Sequence, residues 1–242
     1  MAENKTSPNA ETTPNNNYLA PNFDVASFKD SAMDKFEKNK NLIYGGVAIA
    51  MLLAVGIYYY FGIHRPGKIK EAEIAIYNAQ FAFERDSFEL ALRGKDVMGQ
   101  ERVMGFLDVI DNYSGTPSAN IAQYGAGISL LHLGKYEEAI GHLQSYSGAD
   151  GMTQAMAYGA IGDAKSELNQ MDEALSFYLK AAAYQANGAT SPYYLRKAAL
   201  LCEAQGKKDE AKKHLEAAIK DFPQTAERMN LEADLIRISG SY

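Results

Sequence analysis

Three stretches of this chain carry the same punctuation at nearly the same spacing, and few folds accept that pattern. They read AQYGAGISLLHLGKYEEAIGHL, AYGAIGDAKSELNQMDEALSFYLKA and YLRKAALLCEAQGKKDEAKKHLEAAIKDFP. In each, a small residue in a first helix (Gly127, Gly162, Ala199) is followed seven positions later by a turn residue (Gly134, Asn169, Gly206). An alanine stands five positions beyond the turn (Ala139, Ala174, Ala211), so the period is 35 and then 37 residues. Small side chains in both helices let a pair cross at short distance. Glycine and asparagine accept the left-handed conformation that ends a helix. Leu143, Tyr178 and Leu215 are expected to fill the seam towards the next repeat, with Pro223 closing the last pair.

This periodicity resembles the tetratricopeptide repeat, a helix–turn–helix unit of about 34 residues. It departs from the usual pattern in having no Trp; Gln123, Tyr158 and Leu195 stand where one is common. The expected fold class is all-α: one N-terminal transmembrane helix followed by a tetratricopeptide-repeat α-solenoid. Residues 118–223 would form three repeats, and residues 64–117 degenerate repeat-like helices. In the latter, Ile74, Tyr77 and Phe81 precede a break near Arg85–Asp86, followed by Phe88 and Leu92. Residues 224–242 supply an amphipathic capping helix through Met229, Leu231, Leu235 and Ile236, which a solenoid needs at its exposed end.

Upstream lies a second constraint. Leu42 to Ile63 is a run of 22 residues without a charge. As a helix it would be about 33 Å long, enough to cross the hydrocarbon core of a bilayer. Tyr58, Tyr59 and Tyr60 stand where an interfacial aromatic belt belongs, and Lys38, Lys40, Arg65 and Lys68 bracket the run. A cleaved signal peptide fits poorly, because the run begins late and its tyrosine-rich end lacks the small-residue cleavage pattern. Four lysines precede the run closely (Lys29, Lys35, Lys38, Lys40) and three basic residues follow it, which favours a cytoplasmic N-terminus. Residues 27–41 read as an amphipathic juxtamembrane segment, part of a stretch from Phe23 to Lys40 that places Val25, Phe28, Ala32 and Phe36 at helical spacing. Residues 1–26 hold almost no large apolar side chains and are expected to be disordered. Within the run, Gly46, Ala50 and Ala54 form a small-xxx-small stripe suited to a helix–helix contact.

The order of features along the chain carries a narrower resemblance. A short lead ending in FEKNKN, a glycine-containing span ending in aromatics, an EAEIAIYNAQ helix and repeats containing YGAIGDAKSELNQMDEAL follow one another. That order is similar to the YfgM-like family of ancillary subunits of the SecYEG translocon, from about Asp34 to the C-terminus. The resemblance implies a single-pass inner (cell) membrane protein with a cytoplasmic N-terminus and a periplasmic repeat domain. It also implies contact with the translocon and with periplasmic chaperones.

Composition narrows the chemistry. Net charge is −6, and from His64 onward 19 Lys and Arg face 24 Asp and Glu. A mildly acidic body argues against a nucleic-acid partner, which selects a basic face. One cysteine, Cys202, allows neither an intramolecular disulfide nor a cysteine-based zinc site. The four histidines (His64, His132, His142, His214) show no zinc-binding spacing. Gly125 and Gly127 begin a G-x-G, but Leu130 breaks the dinucleotide fingerprint. The chain is therefore read as a non-enzyme with no catalytic residues, no metal, no cofactor and no small-molecule substrate.

Binding is expected on the inner face that first helices line in such a superhelix. By repeat phase that face would show Tyr124, Ile128, Leu131 and His132 from the first repeat, and Asp163 and Glu167 from the second. Tyr193, Arg196, Leu200 and Glu203 would come from the third. The leading reading is an anchored scaffold for protein partners outside the cytoplasm, near the secretion machinery. The alternatives are a homo-oligomerising structural subunit and an assembly accessory of another envelope complex.

Overall fold

A computed structural model describes residues 25–99 and 102–240. The expectation of disorder for the first residues falls, up to residue 24, outside the described residues; Val25 and Ala26 open a helix. The chain divides into two compact units, Met1–Tyr60 and Phe61–Tyr242.

The described part of the first unit is one helix, α1 (Val25–Tyr59), in which the lysine-rich lead and the apolar run are continuous. Its most apolar window has a mean hydropathy of 2.0 and buries nothing, so it is long and apolar enough to cross a membrane. Phe36 meets the Tyr44 ring edge-on at 5.9 Å, and Glu37 pairs with Lys40 at 3.1 Å. Gly46 carries open space where a Cβ would stand. A π-helical turn follows at Tyr60–His64.

The second unit is built of helices. α2 (Arg65–Phe83), α3 (Phe88–Arg93) and α4 (Phe106–Asn112) come first. Three pairs follow: α5 (Pro117–His132) with α6 (Tyr136–Ser145), α7 (Gly151–Glu167) with α8 (Met171–Ala183), and α9 (Ser191–Ala204) with α10 (Lys208–Asp221). α11 (Pro223–Arg228) and α12 (Leu231–Ser239) close the stack. Each first helix packs on its own second helix, and α6 and α8 pack on the first helix of the next pair. Among the described residues the β-structure is one isolated antiparallel bridge, Lys95 with Val103.

The repeat punctuation explains the pairs. Gly134, Asn169 and Gly206 take φ of 73°, 58° and 77°, the left-handed conformation. The next residue's N–H then donates back to a carbonyl at the end of the first helix, Lys135 to Leu130, Gln170 to Lys165 and Lys207 to Cys202, each at 2.9 Å. That bond satisfies a helix-end carbonyl three times over by one device. Second helices open on acids, Glu137–Glu138, Asp172–Glu173 and Asp209–Glu210, which complement the positive end of the helix dipole. Ala139, Ala174 and Ala211 are fully buried at the crossings. Leu143 and Tyr178 reach back as well as forward: each covers the glycine of its own first helix, Gly127 or Gly162.

Ile74, Tyr77 and Phe81 are 76%, 66% and 44% exposed, and α2 buries Ala72, Ile76, Ala79 and Ala82. The small face is the one that approaches α3 and α5 closely, so the larger side chains are left outside. The C-terminal cap is two helices, with Pro223 opening α11 and Asn230 breaking the path in the left-handed conformation. α12 consequently buries Leu231 and Ile238 and leaves Ile236 52% exposed.

Candidate functional site: the first-helix face

The residues expected on the inner face come from α5, α7 and α9. α5 starts after Thr116, whose hydroxyl accepts from the Ala119 N–H at 3.2 Å, and α7 after Asp150, whose carboxylate accepts from the Thr153 N–H at 2.7 Å. These caps fix where each helix begins and therefore which side chains share a level.

Much of that face is occupied by the protein itself. The Tyr124 ring lies 5.2 Å from Tyr146, and burial pushes its phenol above the ordinary value. Ile128 and Leu131 pack against the cluster of Ile140, Leu143 and Ile161, and Leu200 is half-buried. His132 is exposed and stacks flat on Phe88 with ring centres 4.1 Å apart.

The charged members are tied across repeats. Asp163 accepts from the Tyr178 hydroxyl at 2.7 Å and from the Lys197 ammonium at 2.7 and 2.8 Å, joining α7, α8 and α9. Burial first, and then the Asp163 carboxylate, hold the Tyr178 phenol well above its usual range. The Tyr136 hydroxyl donates to exposed Glu167 at 3.3 Å. Arg196 donates to Asp234 at 2.7 Å, and Arg237 pairs with Glu203, so these two α9 residues bind the cap while Lys197 does not. Leu131, Tyr136, Asp163, Glu167, Tyr178 and Lys197 line a groove of about 340 Å³.

Tyr193 is the tyrosine of the expected set that stands open, at 45% exposure, with the Lys197 ammonium 5.3 Å from its ring centre. The structure adds residues that the sequence reading missed. Ile121 and Met156 are 47% and 40% exposed. They lie 35 and 37 residues before Met156 and Tyr193 respectively, so all three take the same place in successive first helices. The repeat register was the signal that could have found them.

Away from that face, Cys202 and His142 are the buried or half-buried groups with shifted titration that matter most. Cys202 is fully buried, its Sγ 3.9 Å from a Glu210 oxygen; burial, then Glu210, raises its pKa. His142 contacts the Gln123 side-chain oxygen through Nδ1 at 2.7 Å, and burial lowers its pKa against the opposing pull of Glu138 and Asp111. Among the described residues no group of three or more His, Cys, Asp or Glu gathers as a metal site.

Models of the tetratricopeptide repeat match residues 106–151, 155–187 and 193–225. The chain thus carries tetratricopeptide repeats, and the first match begins at α4, upstream of α5. Among solved structures, one titled "Crystal structure of MamA" is 19% identical with a TM-score of 0.39, covering 55% of this chain and 84% of that one. Another, "Crystal structure of MamA protein", is 16% identical with a TM-score of 0.45, covering 70% and 88%. No curated protein matches the chain significantly.

Proposed function

We propose that this protein is a single-pass membrane-anchored scaffold whose repeat face binds protein partners outside the cytoplasm, as an accessory of the Sec translocon or of periplasmic chaperones. The observation that carries the binding role is the first-helix face itself. It combines open Tyr193, exposed His132 and Glu167 and an adjoining groove, on repeats of a type that presents extended concave surfaces. Aromatic side chains supply much of the energy at interfaces. The face residues are Tyr124, Ile128, Leu131, His132, Asp163, Glu167, Tyr193, Arg196, Leu200 and Glu203, of which Asp163, Arg196 and Glu203 act mainly by holding its shape. The anchor is α1, crossing the inner membrane with its N-terminus in the cytoplasm. The chain is not an enzyme on this reading. The translocon assignment rests on the order of motifs along the sequence.

Native purification from solubilised membranes, read by mass spectrometry, tests the assignment. Translocon or periplasmic chaperone subunits should accompany the protein, and Tyr193→Ala combined with Leu131→Ala should lose them. Enrichment of a different envelope complex would overturn the translocon role, and undiminished capture by the double variant would overturn the face. A reporter active only outside the cytoplasm, fused after Tyr242, should be active.

A further inference from the structure

Helix α2 is apolar on two sides. Ala72, Ile76 and Ala79 are buried on the side that packs against α3 and α5, while Ile74, Tyr77 and Phe81 stand open to solvent. Successive residues turn by about 100°, which puts the second set roughly half a turn from the first. The open rings are already ordered. Tyr77 stacks on Phe81 with ring centres 6.5 Å apart, and the Arg85 guanidinium lies 3.9 Å over the Phe81 ring. A solvated face would carry polar side chains in their place. Their spacing, three residues and then four, is that of a coiled-coil seam, with Ile74 and Phe81 at a positions and Tyr77 at d.

We propose that α2 pairs in parallel and in register with α2 of a second copy, making the protein a dimer within its membrane. The proposal goes beyond the scaffold reading and rests on one part of it, that α1 is a membrane anchor.

Three observations select this occupant. The first is area. The three side chains expose roughly 300–400 Å² together, against ~800 Å² per partner in a stable complex. A partner arriving from solution would have to offset its lost translational and rotational freedom with that small area. A chain confined to the same bilayer has already lost most of that freedom, so a short seam suffices. The second is position. Five residues, Tyr60–His64, separate α1 from α2. Copies anchored by the same helix therefore carry their stripes the same number of residues beyond the span and in the same chain direction, which an unrelated membrane protein does not. The third is charge. Lys70 takes the d position one heptad before Tyr77, and Glu71 the e position beside it. In a parallel pair a d side chain packs beside the e residue of the other helix, so Lys70 of each copy meets Glu71 of the other. Glu73, at g, faces neutral Asn78 of the other copy. An antiparallel pair that kept Ile74 against Phe81 would set Lys70 beside Arg85 and Glu71 beside Glu84, opposing like charges. The parallel surface is self-complementary, as a two-fold contact requires.

The test uses the full chain in its native membranes. Cys202 is fully buried, so the wild type is the blank for disulfide cross-linking. Under oxygen and copper phenanthroline, Ile74→Cys should give a disulfide-linked homodimer. Glu73→Cys, about 100° round the helix, should not. Two differently tagged full chains produced together should co-purify in mild detergent. Tyr77→Glu, which sets a carboxylate in the seam, should cut that recovery about fivefold or more, while Tyr77→Leu retains it. Circular dichroism should be the same in both variants. No dimer from Ile74→Cys, an equal dimer from Glu73→Cys, or indifference to Tyr77→Glu would each overturn the proposal. A disulfide joining Ile74→Cys to Phe81→Cys in place of the Ile74→Cys homodimer would reverse the pair, and one joining Ile74→Cys to a different polypeptide would give the stripe to another protein; either refutes it. Carbonate extraction separates this proposal from the reading beneath it. Release of the chain from the membrane would overturn the anchor and the dimer together, whereas a retained chain that fails to cross-link would overturn the dimer alone.

Discussion

The ring of Tyr178 stands where a Cβ on Gly162 would be, its nearest carbons 2.7 Å from that position. Its hydroxyl is simultaneously bonded to Asp163, the residue beside that glycine. The ring is therefore held at both ends and cannot swing aside. Gly162→Ala should destabilise the repeat domain by about 1–3 kcal/mol, the usual cost of overpacking. Gly141→Ala is the contrast: on α6, nothing lies within 4 Å of the new methyl. There alanine should raise stability by about 0.5–1 kcal/mol through helix propensity alone. Urea denaturation of both variants checks the pair; equal shifts would mean that the glycine notch does not bear the contact.

Ala174 is fully exposed to its neighbours and not at all to solvent, at the crossing of α8 with α7. Ala174→Glu would bury a carboxylate without a partner and should cost about 3 kcal/mol or more. Glu138→Ala, on the exposed side of α6, should change stability by less than about 0.5 kcal/mol. Thermal midpoints of the two variants measure the difference.

Asp163 joins two partners from different helices, and the bonds should be coupled. Tyr178→Phe removes one hydrogen bond and should cost about 1 kcal/mol. Lys197→Met removes the other partner, whose side chain is only 28% exposed. A double-mutant cycle should give a non-zero coupling of about 0.5 kcal/mol or more, because the two groups share one carboxylate. Strict additivity would show that the clasp is two independent contacts.

His142 and His214 both have folded-state pKa values lowered, primarily by burial. The unfolded chain then binds protons that the folded chain resists, so stability rises with pH across the interval between the two values. Their contribution is complete above the ordinary histidine value of about 6.5 and is lost as pH falls from there through the lower folded values. Denaturation midpoints should decline over that interval, and His142→Gln should flatten the decline. An unchanged slope would assign the pH dependence to other groups.

The sequence by itself determined the all-α class, the repeat punctuation and an N-terminal segment long and apolar enough to cross a membrane. Those features are local. A left-handed residue ends its own helix, as Gly134, Asn169 and Gly206 do, and a small residue permits a crossing with the very next helix. What each larger side chain does depends on helices far along the chain, and only the tertiary structure decided it. Ile74, Tyr77 and Phe81 repeat at helical spacing, as a core stripe does, yet stand outside because the alanine face of α2 fits its neighbours more closely. Tyr124 looked open by register until Tyr146 covered it, and Arg196 until Asp234, 38 residues away, took its guanidinium. Ile121 and Met156 carry no local mark of exposure, yet they stand 47% and 40% open. Register along a helix is written in short-range spacing; exposure is settled by which distant helix arrives to cover it.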